Sequence, residues 1–560
     1  MKMLGWLVVP GMLALAAGCE AKDSGFGGGD SDSDSDTDSD TDSDTDSDTD
    51  SDTDSDTDTD TDEECVPGEI WCNDDNWISE CNEDGDGWIP LEECEPPLLC
   101  AGGECLDISQ ECADAINGKS NVGCEYWAVN MQNEGPSFQQ PYAIVVSNLE
   151  ADSAVHVVVE ERTTTGYNVL DEADVASKST HVFMLGNTQQ IGTCLTERHA
   201  FRVTSDLPIV AYQFNPYSGL EPDNSDICSN DGTLLIPRSG MGKIYYVLNY
   251  AATNSFYYDG STMNVIAARD DTTVHITPTA AIDAGGTIPA IPAGTTETFT
   301  LQAADVIQLN SQGEISGTYV EADKPIAVFG GDLCSFVPAS VSYCDHMEHQ
   351  LFPATTWGEE FVAARSVIRT MVGEPENDYW RVVASEDGTA ISTEPSVPGL
   401  DGATLSAGQM IEAGVNYSFT ISASAPIMVG QFITGHTATD VPFEGAGGDP
   451  AFALLPPSEQ FMTGYVFLAP EKYLNDYVVI THPAGLSVEL DDSPVSANPD
   501  CETEAFSAEW DITRCLIPDF THTIDAEEPV GITVWGYGGR VSYGYTGGLD
   551  LTEINPIVVE

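Results

Sequence analysis

Positive charge is scarce in this 560-residue sequence: 17 Lys and Arg stand against 93 Asp and Glu, for a formal charge of −76 at pH 7. A chain this acidic is repelled by phosphate backbones and by anionic lipid surfaces, which excludes nucleic acid as a partner and a membrane as an electrostatic one. Long apolar runs are missing too. No segment offers 18 uninterrupted apolar residues, so no spanning helix is expected. Signatures of common chemistries are likewise absent. There is no C-x₂-C pair to suggest zinc and no G-x-S-x-G elbow, and Gly242-Lys243 is followed by Ile244 where a phosphate loop needs Ser or Thr. From Glu125 onward no long stretch carries the helical period.

What is present is unevenly distributed. Met1–Gly18 has a basic start at Lys2, an apolar stretch from Leu4 to Ala17 and small residues at its end, which is the pattern of a secretion signal. The run Leu-Ala-Leu-Ala-Ala-Gly-Cys that closes it resembles the lipobox of bacterial lipoproteins, in which the cysteine, here Cys19, is acylated; Ala16 departs from the usual leucine. A conventional signal with an incidental cysteine is the alternative. The expected address is the cell envelope, lipid-anchored at the outer membrane and surface-exposed, with the lipid as the one membrane contact. Setting Cys19 aside, 14 of the 15 cysteines remain, enough for seven disulfides in an oxidising compartment. Eight lie between Cys65 and Cys124, and the other six fall into local pairs: Cys194 with Cys228, Cys334 with Cys344, and Cys501 with Cys515.

Asp30–Asp62 alternates Ser or Thr with 17 aspartates and has no apolar residue, so nothing offsets the entropy of ordering it. With Glu63 and Glu64 it carries −19 of the −76, leaving −57 for the rest. Charges about 7 Å apart are only partly screened, and the extended tract reaches on the order of 100 Å. It is similar to the Ser-Asp stalks of Gram-positive surface adhesins. Next, Cys65–Cys105 holds six cysteines with little core, a module that depends on its disulfides. Within it Asn82, Asp84, Asp86 and Glu93 match the ligand spacing of an EF-hand loop, with Gly87 at position 6; a Gly-Asp hairpin turn is the structural alternative. Calcium is the one cofactor the sequence offers. The expected divisions are the signal 1–18, acylated cysteine and stalk 19–64, Cys-rich module 65–124 and β region 125–560.

The β region consists of short runs rich in Val, Ile, Thr and aromatics between Gly, Pro, Asn and Asp, such as Tyr142–Ser147 and Thr273–Pro278. It repeats. DLPIVAYQF, DKPIAVFGG, SAPIMVGQF and EEPVGITVW place prolines at 208, 325, 426 and 529, spaced by 117, 101 and 103 residues. A second phrase, Leu235-Ile-Pro237, Leu351-Phe-Pro353 and Leu455-Pro456, follows in phase. A third joins two strands across a turn from Asn264, Trp380 and Tyr477. The fold class is all-β: tandem sandwich-like units of about 100 residues, with a closed propeller-like ring as the alternative. For the ring speak an opening strand missing from the first unit and an extra strand, Arg540–Thr546, after the last.

Cys334 and Cys344 bracket SFVPASVSY, preceded by the strand from Lys324 and followed by Asp345-His346, Gln350-Leu351, Pro353, Thr356-Trp357-Gly358 and Phe361. On these residues the β region resembles the N-terminal domain of the IgG Fc-binding protein family. The resemblance implies an extracellular β module with a binding or matrix role and no catalytic activity; Fc binding itself does not carry over to a lipoprotein of bacterial type. His346-Met-Glu348-His349 is the one dense set of metal-competent side chains, but its spacing is not H-E-x-x-H, and on a strand His349 would oppose the other two. Three readings follow: a surface-anchored binding module, adhesin or receptor, for an extracellular protein or glycan; a structural component of the envelope or matrix; and, least, a metal-dependent hydrolase at His346.

Overall fold

A computed structural model describes Cys65 and residues 67–68, 70–73, 76–82, 84–133, 141–150, 152–186, 188–217, 229–252, 260–442, 445–539 and 541–555. The signal segment, Cys19, the Ser/Thr-Asp stalk and Cys228 lie outside the described residues.

Each repeat is organised by one long strand that bends at its proline: Phe201–Asn215 in unit 1, Tyr319–Ala322 continuing as Ile326–Ser335 in unit 2, Phe419–Ile433 in unit 3 and Phe520–Tyr537 in unit 4. Proline has no N–H to give to a ladder, so pairing cannot run straight through it. The chain uses the break to change sheets. In unit 3 the half before Pro426 pairs with Gly358–Ala363 and Thr389–Glu394, while the half after it pairs with Asp378–Ala384 and Phe452–Leu455. Units 1, 2 and 4 repeat this scheme. The two sheets close over one core, in which Trp380 and Val429 from one sheet meet Phe361 and Ile421 from the other. Each unit is therefore a sandwich whose sheets share a bent strand.

The burial pattern explains the sequence pattern. Before the proline, positions alternate between buried and partly exposed; after it, in units 1, 2 and 4, every position is buried. The runs VAYQF, AVFGG and ITVWG lack alternation because both their faces are covered. The cover is supplied by the ring. The last strand of each unit, here the axial strand, is Asp231–Leu234, Asp345–Gln350, Phe452–Leu455 or Ser542–Thr546. The first contacts the second, the second the third, the third the fourth, and the fourth returns to the first. Sandwich units and a closed ring are thus both realised in one structure.

Two details differ from the sequence reading. Unit 1 does not lack its opening strand: Gly123–Ala128 pairs with the first half of its bent strand. The final strand, Ser542–Thr546, pairs within its own unit, so among the described residues unit 4 meets unit 1 by packing and by the contact of residues 119–121 with 549–551, with no strand passing between these two units. The phrase expected to join two strands across a turn is instead a corner. Ser261–Ala267 and Thr272–Thr277 do not pair with one another but enter opposite sheets of unit 2. A two-strand pattern cannot reveal which partner each strand takes when a third, bent strand offers both.

The Cys-rich module holds three disulfides, Cys65–Cys81, Cys72–Cys100 and Cys94–Cys105, and a fourth, Cys112–Cys124, ties the helix Gln110–Gly118 to the opening strand of unit 1. Among the described residues no helix is long and apolar enough to cross a membrane.

The joints between units use the few arginines. Arg162 of unit 1 clasps Asp270 of unit 2 with both terminal nitrogens, at 2.5 and 2.9 Å. Arg514 of unit 4 reaches the Arg365 carbonyl and Ser418 of unit 3. Arg381 of unit 3 is buried and lies between Glu412 of its own unit, at 2.7 Å, and Glu314 of unit 2, at 2.5 Å, with its guanidinium 3.8 Å from the Tyr250 ring centroid. The guanidinium is buried while Glu314 and Glu412 keep 29% and 30% of their side chains exposed, so removing Arg381 costs its charged hydrogen bonds and packing and leaves two partly solvated carboxylates. Arg381→Ala is expected to destabilise the chain by about 1.5–3 kcal/mol in denaturant unfolding. Adding Glu314→Gln should return part of that loss.

Candidate binding surface

The four axial strands begin together. Asp231 accepts the N–H groups of Gly232, of Glu348 in unit 2 at 3.1 Å and of Gly544 in unit 4 at 3.4 Å. Asp345 accepts those of Asn230 in unit 1 at 2.6 Å, of His346 and of Ser542 in unit 4 at 3.2 Å. The Ser542 hydroxyl takes the Asp449 N–H of unit 3 at 3.1 Å. All three aspartates are buried. Burial pushes the Asp231 and Asp345 carboxyls well above the usual carboxylate range, only partly opposed by the N–H groups they accept. Asp476, fixed by the Tyr543 hydroxyl at 2.7 Å, is pushed by desolvation up to about 7.

His346 and Glu348 share one face of their axial strand, 3.4 Å apart, and His349 points the other way against Phe352 and Phe452. Asn215 lies against both, 3.2 Å from His346 Nε2 and 3.4 Å from Glu348 Oε2, and His346 Nδ1 lies 2.6 Å from the Asp332 carbonyl. All three residues are fully buried. Desolvation raises the Glu348 carboxyl and lowers His349 to about 4. The cluster fills the inside of the ring, out of a substrate's reach. Among the described residues no group of three or more His, Cys, Asp or Glu is placed to hold a metal ion.

Since the axial strands start side by side, the connections leading into them leave the ring at one end. The second strand of each unit also starts there, opposite the end of the bent strand, as Asp378 pairs with Ile433 and Asp476 with Gly536. The described ends of eight connections therefore meet at one face. The loop closed by Cys334–Cys344 docks on the neighbouring loop of unit 3: Ser342 and Thr437 exchange hydrogen bonds, and Thr434 Oγ1 donates to the Val337 carbonyl. A third loop joins them where Met371 N–H reaches Asp440 at 2.6 Å and Arg369 donates to the Thr434 and Gly447 carbonyls. Tyr343, Ile368, Met371 and Val372 are exposed on this junction, Met371 by 68% and Val372 by 78%. The Cys-rich module sits at the other end. Its Glu104 pairs with Arg238, just past the far end of the first axial strand, and with Arg269 in the far corner of unit 2.

Sequence reasoning reached Cys334 and Cys344 but not the apolar tips, which carry no periodic signal. A signal did exist for the axial aspartates: Asp345 and Asp449 each stand eight residues before the prolines Pro353 and Pro457. Cys501 and Cys515 are disulfide-bonded directly opposite one another across two strands. Cys194 is buried on a short strand of unit 1 that pairs into unit 2. In the proposed calcium loop the Asn82 side chain donates to Asp86 at 2.8 Å and accepts its N–H, closing a tight turn. Glu93 stands at the far end of the strand Trp88–Glu93, about 3.3 Å per residue away from that turn. The turn thus unites Asn82 and Asp86 and leaves Glu93 apart.

A rigid all-β ring with its loops gathered on one face is the architecture of a recognition scaffold. A match to the family described as IgGFc binding protein spans residues 231–536, from the first axial strand to the last bent strand. The chain belongs to this family of binding proteins. The human IgGFc-binding protein is 24% identical over 476 residues, covering 82% of this chain and 8% of that protein; the chain spans less than a tenth of its human relative. A solved tetra-tandem repeat from the extending region of a large adhesion protein aligns over 76% of this chain and 99% of its own at 9% identity, with a TM-score of 0.09, too low to carry an argument.

The buried acids set a pH dependence. Asp231, Asp345 and Asp476 bind protons more tightly folded than unfolded, so their stabilisation is complete below about pH 4 and is lost as pH rises through the folded values. Glu376 works in the opposite sense. It is desolvated, but the Arg369 guanidinium outweighs this and holds it at about 2, so its contribution is lost as pH falls toward that value. Stability should peak in mildly acidic solution. Urea unfolding in pH steps should show Asp476→Asn flattening the decline between about pH 4 and 8 by up to roughly 4 kcal/mol. An unaltered slope would show that this carboxyl titrates normally.

Proposed function

We propose that this chain is a cell-surface binding module, lipid-anchored through Cys19 and held away from the membrane by Asp30–Asp62, which engages an extracellular protein or glycan on its loop face. The observation that carries the reading is polar placement: the loops leave one end of the ring, and the module that continues toward the N-terminus is fastened to the other. A chain tethered this way offers its loop face outward. The acidic spacer adds reach, which matters to a receptor for another surface and little to an enzyme acting on diffusible substrate. Family membership supports binding in place of catalysis, and the burial of His346 and Glu348 gives the hydrolase reading nothing to work with.

Fractionation and adhesion assays test this together. Cys19→Ser is expected to move the protein from the membrane fraction to the soluble one, because acyl chains at about 0.8 kcal/mol per buried methylene supply the membrane affinity. Shortening Asp30–Asp62 should lower adhesion of whole cells while the isolated ectodomain keeps its affinity. Met371→Asp with Val372→Asp should do the reverse, lowering ectodomain affinity with the fold intact. Equal adhesion with and without the spacer would reject the display reading.

A further inference from the structure

The joint of units 2 and 3, away from the loops, carries a cleft lined by aromatic rings. Tyr246, Tyr319 and Thr277 stand directly opposite one another on three adjacent strands of unit 2, forming one row on a sheet face. Both tyrosines are half-buried, so each keeps part of a ring open. The rings are 5.2 Å apart and tilted by 54°, making a corner, and Tyr246 is backed by Trp357 at 5.7 Å. The Tyr319 hydroxyl is turned toward Glu321 at 3.3 Å and that of Tyr246 toward the Ser385 carbonyl at 3.3 Å, which fixes both rings.

The turn at Ala407-Gly408 of unit 3 packs against Tyr246 and borders, with this row, the cleft of about 450 Å³. Gly317 and Gly408, at φ +84° and +70°, meet backbone to backbone: a Cβ on Gly317 would lie 1.8 Å from the Gly408 carbonyl oxygen. Only glycine permits that approach, and both glycine N–H groups are already used, donating to the Val247 and Ala384 carbonyls at 2.8 Å. Thr277 and Thr279 place hydroxyls on the wall, each already oriented by a neighbour, Thr296 at 2.7 Å and the Ser316 carbonyl at 3.1 Å. None of the nine lining residues is charged, in a chain where 93 of 560 are acidic.

We propose that this cleft binds a neutral oligosaccharide. The faces of a pyranose ring are C–H surfaces that stack on aromatic rings, and its edge is a belt of hydroxyls that needs neutral donors and acceptors. Fixed tyrosine faces and the wall hydroxyls of Thr277 and Thr279 supply both, and the uncharged lining suits a sugar without a carboxylate or sulfate. The site lies outside the loop face, so it stands or falls apart from the proposed function.

The test uses the full chain with maltohexaose, cellohexaose and N-acetylchitohexaose as neutral probes and hexagalacturonate as the charged control, read by calorimetry. At least one neutral probe is expected to bind saturably, Tyr319→Ala to weaken it about tenfold, and Tyr319→Phe to leave it within about threefold. Hydrogen exchange on the unaltered protein is expected to show protection at 277–279, 317–319 and 407–408 with the same probe, which keeps the test valid if Tyr319→Ala misfolds. The proposal is overturned by no saturable neutral binding, by equal binding of hexagalacturonate, or by protection elsewhere. If those results appear while adhesion still depends on the spacer, the cleft is refuted and the display reading stands.

Discussion

Two carboxyl groups tie three of the four units together where the axial strands begin. Four sandwiches placed around an axis bring their last strands side by side, but those strands pair only within their own units, and they are buried. A buried N–H without an acceptor costs about as much as a lost hydrogen bond. Asp231 and Asp345 supply the missing acceptors, each for strands of three different units. Aspartate suits the task because its two oxygens sit close to the backbone and accept from several directions. The cost is desolvation, visible in the raised proton affinity of both groups. Loop face, axial cluster and outer sheets all take their positions from this convergence.

The scarcity of cations has a structural counterpart. Arg162, Arg381 and Arg514 are used between units, and Arg238 and Arg269 fasten the Cys-rich module through one glutamate. Arginine is the fitting residue, since its fork can bind a carboxylate and a carbonyl at once and stack on a ring. With so many cations spent inward on joints, the outer surface is left to the acids. Such a surface rejects polyanions at long range and leaves neutral or basic partners as the ligands it can approach.

Much of this was legible in the sequence because repetition amplifies weak signals. One proline in a strand is ambiguous, but four at near-equal spacing identify a structural role, and Pro208, Pro325, Pro426 and Pro529 do mark the bends. The pairing of Cys334 with Cys344, nine residues apart in between, was equally local. What stayed hidden was relational. Whether Thr272–Thr277 pairs with the strand before it or crosses to another sheet depends on a strand 50 residues later. The axial role of Asp231 was hidden because it follows from the proximity of chain segments more than 300 residues apart, and its neighbours carry no pattern that announces a carboxylate among backbone amides. The tyrosine row was hidden for the same reason, each member coming from a different strand.

The repeats are alike in their strands and unlike in their loops, and the axial hydrogen bonds explain why this is tolerable. Between bent and axial strands the four units run 15, 9, 18 and 4 residues. Loop-closure entropy grows only by about 0.6 kcal/mol per doubling, so the span from 4 to 18 residues costs little more than about 1 kcal/mol. Strand ends pinned by Asp231, Asp345 and Ser542 do not require the loops for their placement. Lengths can therefore diverge without opening the ring. A scaffold close to fourfold symmetry then presents a face with no symmetry at all, on which one junction, that of the Cys334–Cys344 loop with Met371 and Val372, is apolar and exposed. A ligand spanning this face meets four different loops in one fixed order, and so can dock in one orientation only.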